Sequence, residues 1–311
     1  MNTPTRLAGF SVILTAALAA GYGAGAAVGP LGTSTSARTS TATEASDMND
    51  HSTTPTTPTT SSDSTGAGHG GHTPTSIPAR SAQIGGALGG LAATDGGYTL
   101  VARWETVGPG PGQPFAFTIT GPDGVPVTAY TEEHTKELHL IGIRRDGGGY
   151  QHVHPTRDAT GQWHAVLDLS PGPWRLIADT VPAGAPAKVT LGMDVQVTGD
   201  YMPAAPTQPS STTTVADYTV ALVGAPAAGA PTELAFTIDR AGTPVTPQPY
   251  LGARGHVVAV RETDLGYLHV HPDIDALSFT ATFPTAGRYR LFLDVSIDGQ
   301  VRTAPFTVDV T

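Results

Sequence analysis

An all-β chain with two tandem immunoglobulin-like β-sandwiches is predicted from three observations. Thirty-eight glycines and 27 prolines among 311 residues favour short strands and turns over long helices. From residue 96 onward, apolar residues alternate with polar ones between Gly and Pro breaks, and no helical pattern interrupts them. The pattern also occurs twice, which marks an internal duplication.

Before the sandwiches lie two segments of different composition. Arg6 precedes an apolar run over residues 7–20, and small residues follow up to Gly29. This is an export segment. Ala24-Gly25-Ala26 fits a cleavage site, whereas residues 7–29 are also long enough to span a bilayer, so residues 1–29 read as a signal peptide or a membrane anchor. The glycines at 21, 23 and 25 follow no strand and precede no Lys-Ser/Thr, so they form no phosphate loop. Residues 30–95 are rich in Ser, Thr, Pro and Gly and have almost nothing to bury, which predicts a disordered stalk. Met48, His51, His69 and His72 lie in it; as flexible ligands they must order to bind a metal, and they are read as solvated linker residues.

The duplication sets the two domains at residues 96–199 and 215–311, joined by a proline-broken linker at 200–214. Tyr98-Thr99-Leu100-Val101 answers Tyr218-Thr219-Val220-Ala221, and Gly172-Pro173-Trp174-Arg175-Leu176 answers Gly287-Arg288-Tyr289-Arg290-Leu291. Each unit is long enough for about seven short strands, the count expected of a sandwich. Period-two alternation puts Trp174, Leu176 and Ala178 in one core, and Tyr289, Leu291, Leu293 and Val295 in the other.

Within each unit one stretch stands out. Gly149-Tyr150-Gln151-His152-Val153-His154-Pro155 recurs as Gly266-Tyr267-Leu268-His269-Val270-His271-Pro272. His139 stands thirteen residues before His152, and His256 thirteen before His269. The intervening residues read as strand, turn, strand. Histidines two apart on a strand project from one face, and a loop of even length brings the earlier histidine to the same face, whereas a bulge at the glycine would remove it. With even loops each hairpin is a candidate three-imidazole metal site: His139, His152 and His154 in the first, and His256, His269 and His271 in the second.

The chain has no cysteine, which excludes disulfides, thiolate ligands and a cysteine nucleophile. An all-nitrogen site favours Cu(II) over Zn(II) on intrinsic affinity, with zinc the alternative, and three protein ligands leave a position open. A net charge of -10 disfavours nucleic acid and anionic lipid as partners and attracts cations. No Gly-x-Ser-x-Gly elbow, His-Glu-x-x-His helix or phosphate loop is present, so an enzyme is not expected; a mononuclear metalloenzyme is a remote alternative. The other alternative is a non-catalytic envelope module whose histidines are structural. His134 and His164 have no counterpart in the second unit and are expected at the surface, His134 adding with Glu132, Glu133 and Glu137 an acidic rim.

These motifs, together with Glu137-Leu138-His139-Leu140 and Leu251-Gly252-Ala253-Arg254-Gly255-His256, resemble those of exported actinobacterial tandem β-sandwich proteins labelled heavy-metal-binding or uncharacterised. The resemblance covers residues 96–311 and loosely the His/Met-bearing stalk. It implies an extracytoplasmic role, tethered to the membrane when the N-terminal segment is retained, linked to copper or another heavy metal bound at the six hairpin histidines.

Overall fold

Alternation of apolar and polar residues builds two sandwiches in the computed structural model, which describes residues 88–273 and 275–311. The expected export segment and most of the stalk lie outside the described residues. Among the described residues no helix is long and apolar enough to cross a membrane.

In the first sandwich one sheet runs Thr94–Asp95, Tyr98–Ala102, Gly110–Thr120, Gln162–Leu169, Thr156–Arg157 in spatial order. The facing sheet runs Thr106–Val107, Val189–Val197, Gly172–Pro182, Leu138–Arg144, Gln151–Val153, with Tyr130–Thr131 paired to the end of Gly172–Pro182. Phe115, Phe117, Ile119, Trp163, Trp174 and Leu176 fill the space between them. The sheet thus begins at Thr94, within the segment that composition assigns to the stalk.

The second sandwich repeats the plan. Thr212–Val215, Tyr218–Val223, Pro231–Arg240, Ser278–Thr282 and His271–Pro272 form one sheet, with Thr243–Pro244 paired to Pro231–Arg240. Tyr267–Leu268, His256–Arg261, Gly287–Ile297 and Gln300–Val310 form the other. Tyr289, Leu291, Leu293 and Val295 are buried in its core, on the face that the alternation predicts.

The central strands carry apolar residues on both faces, and this joins the domains. In Leu138–Arg144, Leu138 and Leu140 enter the core while Ile141 and Ile143 face away from it. In His256–Arg261, Val257 and Ala259 point inward while Val258 and Val260 point away. The outward faces meet: Ile141, Ile143, Ile177, Val258, Val260, Leu265, Tyr267 and Phe292 form a third apolar cluster between the sandwiches. The Tyr150 ring stacks on Phe292 with centroids 3.8 Å apart. Each large apolar side chain buried there is worth about 1.5–3 kcal/mol, which makes the junction a core in its own right. A short bridge adds to it, since Gly89 and Tyr267 exchange backbone hydrogen bonds of 2.8 and 2.9 Å.

Candidate metal centre

His139 and His256 occupy the outward face of the two central strands, at one end of this apolar seam. The strand that follows each hairpin turn has the register the histidines require. Ile141 lies opposite His152, so His152 shares the face of Ile141 and His139. Tyr267 lies opposite Val260, which puts it on the face of Val258 and His256. Gly149, with φ of 64°, lies against Trp174, where an added Cβ would come within 2.4 Å of the indole; no other residue opens the first motif without displacing that ring.

The first three predicted ligands come together. His139 Nδ1 lies 3.0 Å from His152 Nε2 and 3.2 Å from His154 Nε2. Among the described residues these three form the one group of His, Asp or Glu whose ligand atoms all lie within 4.8 Å of each other. The outer nitrogens are held. His139 Nε2 sits 3.0 Å from the Glu133 carbonyl oxygen, which only accepts, so this nitrogen carries the ring proton. His152 Nδ1 sits 2.9 Å from Asp294 Oδ2 and donates to it. In the neutral rings, His139 Nδ1 and His152 Nε2 then turn lone pairs toward each other across 3.0 Å. Two acceptors at that distance repel unless a proton or a metal ion lies between them.

Burial favours the neutral forms. It lowers His139 to about 4, with the His152 imidazole next in effect, and lowers His154 to about 3 with His152 and His139 adding. Asp294 comes from the second sandwich and also accepts from Tyr150 Oη at 3.2 Å and from the Thr303 hydroxyl. Burial and the adjacent Asp294 carboxylate raise the Tyr150 phenol well above its ordinary value, so it remains a donor.

Among the described residues the second predicted set forms no such group; what it repeats is the carboxylate supplied by the other domain. His269 Nδ1 lies 3.2 Å from Asp179 Oδ2 of the first sandwich, and Tyr267 Oη donates to the same oxygen at 3.0 Å. Burial alone would raise the Asp179 carboxyl; the His269 hydrogen bond and the Lys188 charge outweigh it and hold the group below the carboxylate range. His256 is buried, and burial together with His134 lowers it to about 3. His271 starts the strand His271–Pro272, paired with Thr280 in the opposite sheet.

His134 is not at the outer surface where the sequence reading put it. It is half-buried, its ring 4.7 Å from His256 and 6.1 Å from both His139 and His269. The cause is a two-residue turn, Glu133-His134-Thr135-Lys136, closed by reciprocal backbone hydrogen bonds, with φ of 48° and 66° at its centre. Tyr250-Leu251-Gly252-Ala253 makes the same turn in the second unit. Only its Gly252 advertises the turn, and the first copy lacks any such mark. His164 is exposed, as expected, and pairs with Asp158 at 3.1 Å.

Sequence reasoning missed Asp179 and Asp294. The signal was present: they lie at matching positions of the repeat, each a carboxylate in an apolar strand, four residues beyond Arg175 and Arg290. Between the two sets a cavity of about 20 Å³ is lined by His134, His139, His152, Asp179, His256 and His269. That is room for a water or a single ion.

Residues 213–311, the second sandwich, match a family described as a domain of unknown function, DUF8832. No curated protein matches the chain. Among solved structures, the Escherichia coli adhesin FdeC is 18% identical, with 71% of this chain and 66% of that chain covered and a TM-score of 0.24. Fibronectin(III)-like modules of Clostridium thermocellum CbhA are 11% identical, with 68% and 93% covered and a TM-score of 0.21. The Yersinia pseudotuberculosis adhesin InvE is 16% identical, with 72% and 61% covered and a TM-score of 0.23. The chain spans just under two thirds of the FdeC and InvE chains. Scores this low carry no argument about function, and the sandwich architecture stands on the sheets themselves.

Proposed function

We propose that the chain is a non-catalytic, extracytoplasmic β-sandwich module that binds a heavy-metal ion through His139, His152 and His154. The observation that carries this reading is the convergence of imidazole nitrogens at 3.0 and 3.2 Å with the outer nitrogens of His139 and His152 already engaged. Nitrogens bound to one tetrahedral ion at about 2.0–2.1 Å are separated by roughly 3.3 Å, close to that spacing. Asp294 behind His152 is the carboxylate that orients and strengthens a metal-ligating imidazole. The ligand set is all nitrogen, which favours copper and admits zinc. Resemblance to exported heavy-metal-binding sandwich proteins supports the same assignment, and the expected export segment supports the extracytoplasmic placement. A cavity of about 20 Å³ suits an ion and not an organic substrate, which supports a binding role over a catalytic one.

A second reading has its own observation. His152–Asp294 and His269–Asp179 both cross between the sandwiches, so the histidines would serve as braces in an envelope spacer module, with a proton held between His139 and His152. Titration of Cu(II) and Zn(II) into the full chain and into a His152→Ala, His154→Ala variant separates the two. Saturable binding of one equivalent that the variant loses supports the metal site. Binding that is absent, or unchanged in the variant, leaves the bracing role.

A further inference from the structure

The two histidine sets are related by the duplication, yet a lysine stands in only one of them. The register Asp179↔Thr190 matches Asp294↔Thr303, so the position two residues earlier is Lys188 in the first sandwich and Val301 in the second. Val301 is exposed and brings no charge to Asp294. Lys188 folds inward. Its Nζ lies 3.2 Å from Asp179 Oδ2 and 3.1 and 3.3 Å from His269 Nδ1 and Nε2, and it pairs with the Glu133 carboxylate. Two carboxylates and the His269 ring, whose Nδ1 serves Asp179 and whose Nε2 alone can accept, are thus already gathered around an ammonium. An ion bound through His269 would have to approach that ammonium in a partly buried site, where like charges repel with little screening.

We propose that the Lys188 ammonium is the resident cation of the second histidine set, so that the chain takes a metal ion at His139, His152 and His154 and not through His256 and His269. Lys188 then sets stoichiometry. The Glu133 main chain orients His139 for metal while its side chain holds Lys188, so one residue serves both sets. This inference rests on the metal-binding reading above. Asp294 is satisfied by Tyr150, His152 and Thr303 with no lysine, and Asp179 has the matching partners Tyr267, His269 and Thr190, so removing Lys188 reproduces an arrangement the chain already tolerates.

The test is the number of Zn(II) and Cu(II) equivalents bound by the full chain, by Lys188→Val, by Lys188→Arg and by Lys188→Val with His269→Ala, each checked for folding by circular dichroism. Lys188→Met, which keeps most of the stem, replaces the valine variant if that one unfolds. The expected result is one further equivalent in the folded charge-removed variant, absent in Lys188→Arg and lost again with His269→Ala. A wild-type chain that already binds a second equivalent through His269 overturns the inference. So does a folded charge-removed variant that gains none while wild-type binding still depends on His152 and His154, an outcome that leaves the metal site standing. Absence of binding in every variant overturns both.

Discussion

The two histidine sets at the domain junction share a tyrosine, a histidine and a carboxylate from the other domain, and a lysine enters only one of them. On the Asp294 side, His152 and Tyr150 bond the carboxylate and the side chain of His152 is 4% exposed. On the Asp179 side, His269 and Tyr267 do the same, but Lys188 enters and the side chain of His269 is 24% exposed. Val301 against Lys188 is the difference that puts an ammonium beside one carboxylate and none beside the other. Duplication supplied the scaffold twice; side chains at its margin decided what each copy does.

The comparison is broken most directly by exchanging one histidine on each side. His152→Ala is expected to weaken Cu(II) or Zn(II) binding by at least about 100-fold, and His269→Ala by less than about threefold, read by competition with a chelator. Equal losses would erase the difference between the halves. The carboxylates sharpen it. Asp294→Asn should lower metal affinity by about 10- to 100-fold through the loss of its hold on His152. Asp179→Asn should leave affinity nearly unchanged but lower folding stability by about 3 kcal/mol in denaturant titration, because it leaves the Lys188 ammonium with one carboxylate fewer.

Acid should expose the imidazoles. His139, His154 and His256 are held at about 4, 3 and 3, below the ordinary 6.5. Between those values the unfolded chain binds more protons than the folded one, so stability of the metal-free protein rises with pH there and is lost as pH falls from 6.5 toward 4. The loss is about 2 kcal/mol per histidine at about pH 5, and thermal unfolding across that range in wild type and in His154→Ala measures it; the variant should show the shallower slope. The smallest effects belong to the phenols: Tyr150→Phe and Tyr267→Phe should each cost about 1.5 kcal/mol for one hydrogen bond to a buried carboxylate. A larger cost on one side would show that the carboxylates are not equally dependent on them.

Much of this was legible in the chain. Alternation identified the core faces of Gly172–Pro182 and Gly287–Ile297, and the shared spacing of His139, His152 and His154 located the first cluster, because strand parity and loop length are local properties. His134 was read as a surface residue, and Asp179, Asp294 and Lys188 were not read. His134 depends on a left-handed turn that its residues do not announce. The two aspartates act on histidines of the other domain, 90 and 142 residues away. No local pattern links such pairs.

Sequence alone determined the sandwiches, their duplication, the hairpin turns and the shared face of His139 and His152, since all of these follow from period-two patterning and turn chemistry within a few residues. Only the tertiary structure decided that the two outward faces meet, that each carboxylate serves the other domain's histidine, and that Lys188 enters one set and not the other. These depend on how two folded sheets pack and which charges that packing removes from water, and side chains distant in the chain acquire their electrostatics only there.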